Sequence, residues 1–375
     1  MNFLNLKPEA FGLDISDLSL KIVKFKKRGK SLKLTSWGEF PIKAGLINRG
    51  EIKDTEKLAE VIKESLKKVR GEKIKTKYVI ASLPEEESFL QVIQMPKIAE
   101  EDLKSAVIYE AENYIPLPIE KVYLDYQVVP PVSNHLDHLD VLIAALPRKT
   151  INPYTASLKL AGLQPLVLEI ESLSVGRALI KNGVTSSPIL LIDLGVTKTS
   201  FIIFSGYSLR FTSSIPVSSS AFTEIISKNL NLSFDEAEKL KIKHGLEEKF
   251  KMKNSKEVIE KKLERGEIFE ALIPALVDLT QQIKICLNYY QTHSAHEHLP
   301  PAAAKISKIL LCGGGANLKG LSELLEVELK LPVELGNPWV NVGEKIKKPS
   351  ELDAGKSLSY ATAVGLALRE ITNEK

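Results

Sequence analysis

The chain has 375 residues, against about 100 to 200 for an ordinary domain, so two or three domains are expected. Its 51 Lys and Arg against 47 Asp and Glu leave a formal charge of +4, too small and too diffuse for nucleic acid as the main partner. Hydrophobic residues at 44% and charged residues at 26% describe an ordinary globular chain able to bury a sizeable core. Only 8 of the basic residues are arginine, so bidentate phosphate or base readout has few candidates. Two cysteines, Cys286 and Cys312, form no CxxC pair, which excludes a zinc framework and a disulfide scaffold. No apolar run reaches the roughly 18 residues of a membrane span, and Met1 to Ala10 lacks the pattern of a signal peptide, so a cytoplasmic location is expected.

Phe11 to Phe25 reads as two short strands around a turn, the first apolar and ending at Asp14, the second alternating through Leu20, Ile22 and Phe25. A third strand is predicted at Leu32 to Phe40. Thr55 to Arg70 carries Leu58, Val61, Ile62, Leu66 and Val69 at helical spacing, with Gly71 as its stop. Tyr78 to Leu83 reads as a buried strand. After Pro84 come an acidic turn, a strand at Phe89 to Met95, and a helix opening with Glu100, Glu101 and Asp102, where negative charge suits the helix dipole. Pro116 and Pro118 end that helix near Tyr114. Strands at Val122 to Val129 and Leu139 to Leu146 flank a polar hairpin loop, and a helix at Asn152 to Ala161 stops at Gly162. This block of about 80 residues reads as a small α/β unit inserted into a larger domain.

From Pro188 the first pattern recurs. Ile189 to Leu194 is an apolar strand ending at Asp193 and Gly195, and Thr199 to Phe204 is its return partner, so an internal duplication is the economical reading. A helix at Ala221 to Leu230, a charged helical region from Asp235 to Glu270 and a long helix near Leu272 to Tyr290 follow. A strand at Ile306 to Cys312 runs into Gly313, Gly314 and Gly315, and a last helix covers Ser357 to Glu370.

A strand, a tight turn and a returning strand, with a small residue two after an aspartate, bring backbone N–H groups and one carboxylate up to a phosphate chain. Asp14-Ile-Ser16 and Asp193-Leu-Gly195 both have this form. Lys21, seven after Asp14, places an ammonium on the returning strand, and Thr197 and Thr199 offer hydroxyls after the second turn. A single Asp-x-Gly is most often an ordinary β-turn; two in the right order shift the balance towards a phosphate site. His293, His296 and His298, and separately His135, Asp137, His138 and Asp140, read as solvated loops rather than metal sites. The mixed-charge run from Glu247 to Arg265 reads as exposed helix.

With these segments in order, the chain resembles the actin-like ATPase superfamily along essentially its whole length. Phe11 to Lys21 and Ile189 to Thr199 look like its two phosphate segments, and Ile170 to Leu179 like its connecting helix. Ala237 to Gly245 is similar to the segment whose Glu and Lys contact the nucleoside, Gly313 to Ala316 to the adenosine segment, and Tyr360 to Leu368 to the closing helix. The inserted block, the Ala-Glu112-Asn-Tyr-Ile115-Pro116 stretch and the Asp14-to-Lys21 spacing resemble the PilM family of type IV pilus assembly. Leu368 to Lys375 carries no amphipathic membrane helix, which separates this reading from an FtsA-like division filament.

The resemblance implies a duplicated, two-lobed actin-like α/β fold. Residues 1–83, 163–188 and 351–375 would form the first lobe, 84–162 the inserted subdomain and 189–350 the second lobe. It implies ATP or ADP with Mg2+, the ion held largely through water by Asp14 and Asp193, and phosphates surrounded by Ser16, Lys21, Gly195, Thr197 and Thr199. Glu238, Lys241, Gly313, Gly314, Gly315 and Ala316 would hold the nucleoside, with turnover slow at most. Glu171 reads equally as a helix-start acid or as a water-positioning group, and Glu238 and Lys241 also as a solvated acid-base pair. Ser16 and the Ser218-Ser219 pair stand where glycines are usual, departures expected to reshape phosphate contacts. The implied partner is the cytoplasmic tail of a PilN-like single-span inner-membrane protein, with pilus motor or platform proteins and a homo-oligomeric ring in the assembled machine. The rival readings are a small-molecule kinase on the same fold and an FtsA-like membrane-associated filament.

Overall fold

The first lobe opens with an antiparallel meander, β1 (Phe11–Ile15), β2 (Ser19–Arg28) and β3 (Ser31–Pro41), whose inward residues Phe11, Leu13, Leu20 and Ile22 are fully buried. The small hairpin β4 (Ile47–Asn48) and β5 (Glu51–Ile52) leads into α1 (Thr55–Lys67), where Asp54 caps the helix by accepting from the Lys57 N–H. The short β6 (Arg70–Gly71) and the apolar β7 (Tyr78–Leu83) follow. The structure, a computed structural model, describes residues 8–29, 31–131, 137–246, 263–293, 305–343 and 349–372. His135, His296, His298 and the mixed-charge run from Glu247 as far as residue 262 lie outside the described residues.

The insertion comprises β8 (Phe89–Pro96), α2 (Glu100–Ala111), β9 (Val122–Val129) and β10 (His138–Pro147), with β10 central in a three-stranded antiparallel sheet. Leu103, Val107 and Ala111 of α2 close its own small core against Ile93, Val141 and Ile143. Next comes α3 (Arg148–Leu160), which the sequence reading assigned to the inserted block. Its buried Ile151, Tyr154 and Leu158 join the first-lobe core instead, with Leu58 and Ile62 of α1. β11 (Gln164–Ile170) and α4 (Glu171–Leu179) complete this half.

The second lobe repeats the plan with β12 (Thr185–Leu194), β13 (Thr199–Gly206) and β14 (Ser208–Ile215), then α5 (Ser219–Leu230), α6 (Phe234–His244) and α7 (Leu263–His293). β15 (Lys308–Cys312), α8 (Leu321–Leu329), β16 (Val333–Leu335), α9 (Ala354–Leu358) and α10 (Ala361–Thr372) close the chain. The predicted last helix is thus two, separated at Ser359 and Tyr360. The sheet orders are β11-β7-β1-β2-β3-β6 and β14-β13-β12-β15-β16. In both, an antiparallel meander is extended by two parallel strands on the side of its first strand, so the duplication inferred from the turns is a duplication of topology.

Between the two sheets lie α10, packed on β1, β2 and β7, and α4, packed on β13 and β14. They approach so closely that a Cβ on Gly365 would collide with the Ser174 carbonyl. Glu169, at the end of β11 and buried, accepts both Arg177 of α4, at 2.6 and 2.7 Å, and Arg369 of α10. A second tie joins insertion to second lobe. Asp140 was read as part of a solvated loop, yet it lies within β10, buried, and accepts Arg210 of β14 at 2.9 Å. Among the described residues no helix is long and apolar enough to cross a membrane.

Candidate functional site

Both aspartate turns open onto one cleft of about 280 Å³. In the first turn the Ser16 N–H donates to the Ser19 carbonyl at 3.0 Å, and the Ser16 hydroxyl donates to the same oxygen at 3.0 Å. Antiparallel register sets Lys21 opposite Asp14. Its ammonium lies 3.8 Å from the Asp14 carboxylate and 3.9 Å from Glu39, and donates to the Ser19 hydroxyl at 2.9 Å. Burial pushes the Asp14 carboxyl above its ordinary value, opposed by Lys21 and by a hydrogen bond from Ser82.

The second turn closes the same way, the Gly195 N–H donating to the Lys198 carbonyl at 2.9 Å. The head of α5 is pinned to it, with the Ser219 and Ser220 N–H groups donating at 3.0 Å to the carbonyls of Gly195 and Val196. Burial raises Asp193 to about 6, with the neighbouring Asp14 adding to the effect and Lys21 and Lys198 opposing it. Lys198 is itself paired, its ammonium 2.7 Å from Glu171 at the head of α4 and 2.7 Å from Glu86. Burial works to strip the Lys198 proton, but those two carboxylates outweigh it and hold the ammonium protonated. Burial likewise pushes the Glu171 carboxyl above its ordinary value, the Lys198 ammonium opposing the shift and Glu86 and Asp14 adding to it.

Behind Asp193, Gly313 has φ +82° and leaves no room for a side chain, because a Cβ there would collide with the Asp193 carboxylate. The cleft thus gathers Asp14, Ser16, Lys21, Glu171, Asp193, Gly195, Thr197, Gly313 and Gly314 from the sequence-predicted set. Thr199 is fully buried and donates to the Val217 carbonyl at 2.7 Å, so its hydroxyl faces away. Gly315 and Ala316 are buried in the 3-10 turn below. Glu238 and Lys241 stand one layer back. Lys241 donates to the Ser219 carbonyl and hydroxyl at 2.8 and 2.9 Å and to Thr223 at 2.7 Å, and pairs with Glu238 at 2.7 Å. The two brace α6 against the head of α5.

Sequence reasoning missed Lys198, Glu39, Asn317, Lys356 and Ser359, all on the cleft wall. Lys198 lay inside a recognised phosphate segment and carried a readable signal, a lysine within an acidic turn. Glu39 and Lys356 pair with each other across the cleft mouth from β3 and α9, a contact no local pattern announces.

Four carboxylates and three lysines line this cleft. Two mutually repelling carboxylates, Asp14 buried and Asp193 partly buried, are relieved by a hard divalent cation, and lysines with turn N–H groups suit phosphate oxygens. Among the described residues no three His, Cys, Asp or Glu side chains cluster as a metal site. An ion here would therefore complete its shell with water and phosphate oxygens, which fits Mg2+ accompanying a nucleotide.

The sequence model of the type IV pilus assembly protein PilM matches residues 12–371. The chain belongs to the PilM family. A solved PilM-PilN type IV pilus biogenesis complex is similar over 97% of this chain and 98% of that one, with a TM-score of 0.78 and 28% identity. MreB5 of Spiroplasma citri bound to AMPPNP shares the fold at 15% identity, covering 98% of this PilM-family chain and 97% of its own, with a TM-score of 0.54. The cell division protein FtsA of Pseudomonas aeruginosa is 26% identical over 215 residues, 55% of this chain and 48% of that one. This PilM-family chain spans about half the length of the curated relatives it matches. The expected actin-like, two-lobed fold and PilM assignment hold.

Proposed function

We propose that this PilM-family chain binds ATP with Mg2+ between its lobes and docks the cytoplasmic tail of a PilN-like single-span inner-membrane protein, serving as the nucleotide-binding cytoplasmic component of the pilus assembly platform. The observation that carries the reading is the pair of acidic turns on one cleft, in a chain that matches PilM over residues 12–371. In this reading Asp14 and Asp193 hold the ion largely through water, Lys21, Thr197 and Lys198 meet the phosphates, and Ser16 and Gly195 close the turns that shape the phosphate site. Gly313 and Gly314 admit the nucleoside, while Gly315, Ala316, Glu238, Lys241 and Thr199 support the walls. Glu171 is the water-positioning group. Its carboxylate is paired with Lys198 at 2.7 Å, an engagement that in this reading slows turnover.

The nucleotide half is tested by calorimetry with Mg2+ and ATP; absence of binding by the wild type sinks it. The docking half is tested by removing the inserted sheet. Phe89 and Ala145 are register partners, so replacing residues 88–146 by a short linker keeps α3 in the first-lobe core. The shortened protein should bind ATP and lose a tail peptide of roughly ten residues. Retention of both would place the docking surface elsewhere.

A further inference from the structure

The acidic run after β7 sends its three carboxylates to three different parts of the molecule. Glu85, buried, accepts the Ser172 N–H at the head of α4 at 3.3 Å. Glu86 accepts Lys198 of the second-lobe turn at 2.7 Å. Glu87 accepts the Thr150 hydroxyl and lies 3.4 Å from the Lys149 ammonium, both on α3. This run is the root of the inserted sheet, since β8 begins at Phe89.

Lys198 is the cation of this knot, and it also lines the cleft. Its side chain is 19% exposed, and those of Glu86 and Glu171 are 20% and 13% exposed, so the three charges meet where water screens them weakly. One ammonium therefore serves the insertion root, the head of α4 and the wall of an anion-binding cleft. We propose that Lys198 couples the cleft to the inserted sheet: an oligophosphate bound in the cleft draws the ammonium off Glu86 and loosens the root of the insertion. The inference rests on the nucleotide reading above. Lysine suits the task, because it is a point charge on a flexible stem that re-aims by rotation about its own bonds. A polyphosphate offers it more negative charge than one carboxylate does.

Linkage makes the coupling reciprocal, so releasing Lys198 from Glu86 must strengthen nucleotide binding. Glu86→Gln should bind Mg·ATP about fivefold tighter by calorimetry, the low end of ordinary coupling factors. Lys198→Gln should bind more weakly, and in its background Glu86→Gln should give no gain. Glu87→Gln, whose carboxylate is spent on α3, should bind like the wild type. Hydrogen exchange supplies a readout independent of affinity. Amides of residues 85–90 should exchange faster on addition of Mg·ATP to the wild type, and should be fast with or without nucleotide in Glu86→Gln. If Lys198→Gln does not fold, the exchange comparison between wild type and Glu86→Gln decides the matter alone. Failure of the wild type to bind ATP overturns the nucleotide reading and this inference together. Binding by the wild type with Glu86→Gln unchanged in affinity and exchange, or a Glu86→Gln gain that survives in Lys198→Gln, overturns the coupling alone.

Discussion

The β1–β2 and β12–β13 turns have one backbone and two electrostatic designs. Each closes with an N–H two residues after the aspartate donating to a carbonyl three residues further on, at 3.0 Å in the first and 2.9 Å in the second. Seven residues after Asp14, and opposite it in register, stands Lys21; the same place opposite Asp193 holds Ser200. The second turn's lysine sits at 198, the position that Ser19 fills in the first. Asp14 therefore has a cation within its own hairpin, whereas Lys198 leaves its hairpin for Glu86 and Glu171. Repeating a fold fixes where the carboxylates go. The placing of one lysine decides which turn is neutralised internally and which is left to a ligand and to the rest of the molecule.

The largest expected effect comes from removing either carboxylate, and the comparison predicts unequal results. Asp193→Ala should lose the Mg2+-dependent part of ATP affinity, roughly 2–3 kcal/mol or on the order of a hundredfold, with little loss of folding stability. Asp14→Ala should lose as much affinity and also unfold more easily, because it takes from the Lys21 ammonium, whose side chain is 10% exposed, the nearer of its two ion-pair carboxylates. Calorimetry and urea unfolding on both variants check this. Equal unfolding midpoints would break the distinction between the turns.

Next in size is Gly313→Ala. The alanine must hold φ near +82° and place its Cβ against the Asp193 carboxylate, so a loss of about 2 kcal/mol or more is expected in denaturant unfolding, together with weaker ATP binding. The glycine-rich turn would then be shown to set the position of Asp193, a constraint the first turn lacks. Unchanged stability would show that the β15 end moves away freely.

The pH dependence sharpens the same contrast. The Asp193 carboxyl is held at about 6 against an ordinary 3.8, so the folded free protein binds that proton more tightly than the unfolded chain does. This contribution to stability is fully present below about pH 3.8 and is lost as pH rises through about 6. Asp193→Asn, permanently neutral, should therefore exceed the wild type in stability above pH 6, by about 1–2 kcal/mol, and match it near pH 4. Unfolding midpoints of the two proteins across that range are the measurement. A constant difference at all pH values would detach Asp193 from the effect.

The duplicated hairpins were legible in sequence because the Asp-x-small turn is local and each flanking strand alternates or is continuously apolar. Elements whose signal is weak or non-local were not. β14 carries Thr212, Ser213 and Ser214 before its final Ile215 and is only half-buried, β11 has Pro165 as its second residue with a bulge before Val167, and β16 has three residues. The sequence reading began a helix at Asn152, yet α3 begins at Arg148 and carries Pro153 inside. In the cleft, Asp14, Lys21 and Asp193 were legible from the spacing of the two turns, and Gly313 from the resemblance to the adenosine segment. The pairing of Lys198 was not, because its partners come from positions 86 and 171 and are adjacent only in the fold.

The smallest effect tests whether the remaining difference between the turns, Ser16 against Gly195, matters at all. The sequence reading expected the side chain at this place to reshape phosphate contacts. Ser16 turns its hydroxyl inward to the Ser19 carbonyl at 3.0 Å, so the side chain is spent on closing its own turn. Gly195 does not adopt a left-handed φ, and a Cβ added there would meet only the Lys198 carbonyl, at 3.0 Å, a contact that a shift of a few tenths of an ångström relieves. Gly195→Ser should then copy the first turn, its hydroxyl reaching the Lys198 carbonyl. Two small terms oppose each other: contact strain of well under about 1 kcal/mol, and a gain of up to about 1 kcal/mol from a less flexible unfolded chain. The expected result is a stability change within about 0.5 kcal/mol and ATP affinity within about threefold of the wild type, by urea unfolding and calorimetry. Ser16→Gly should likewise leave affinity within about threefold while losing roughly 0.5–1 kcal/mol of stability with its hydrogen bond and backbone restraint. A tenfold loss of affinity in Gly195→Ser would mean that phosphate comes closer to the second turn than to the first, and that the two turns differ in shape as well as in charge.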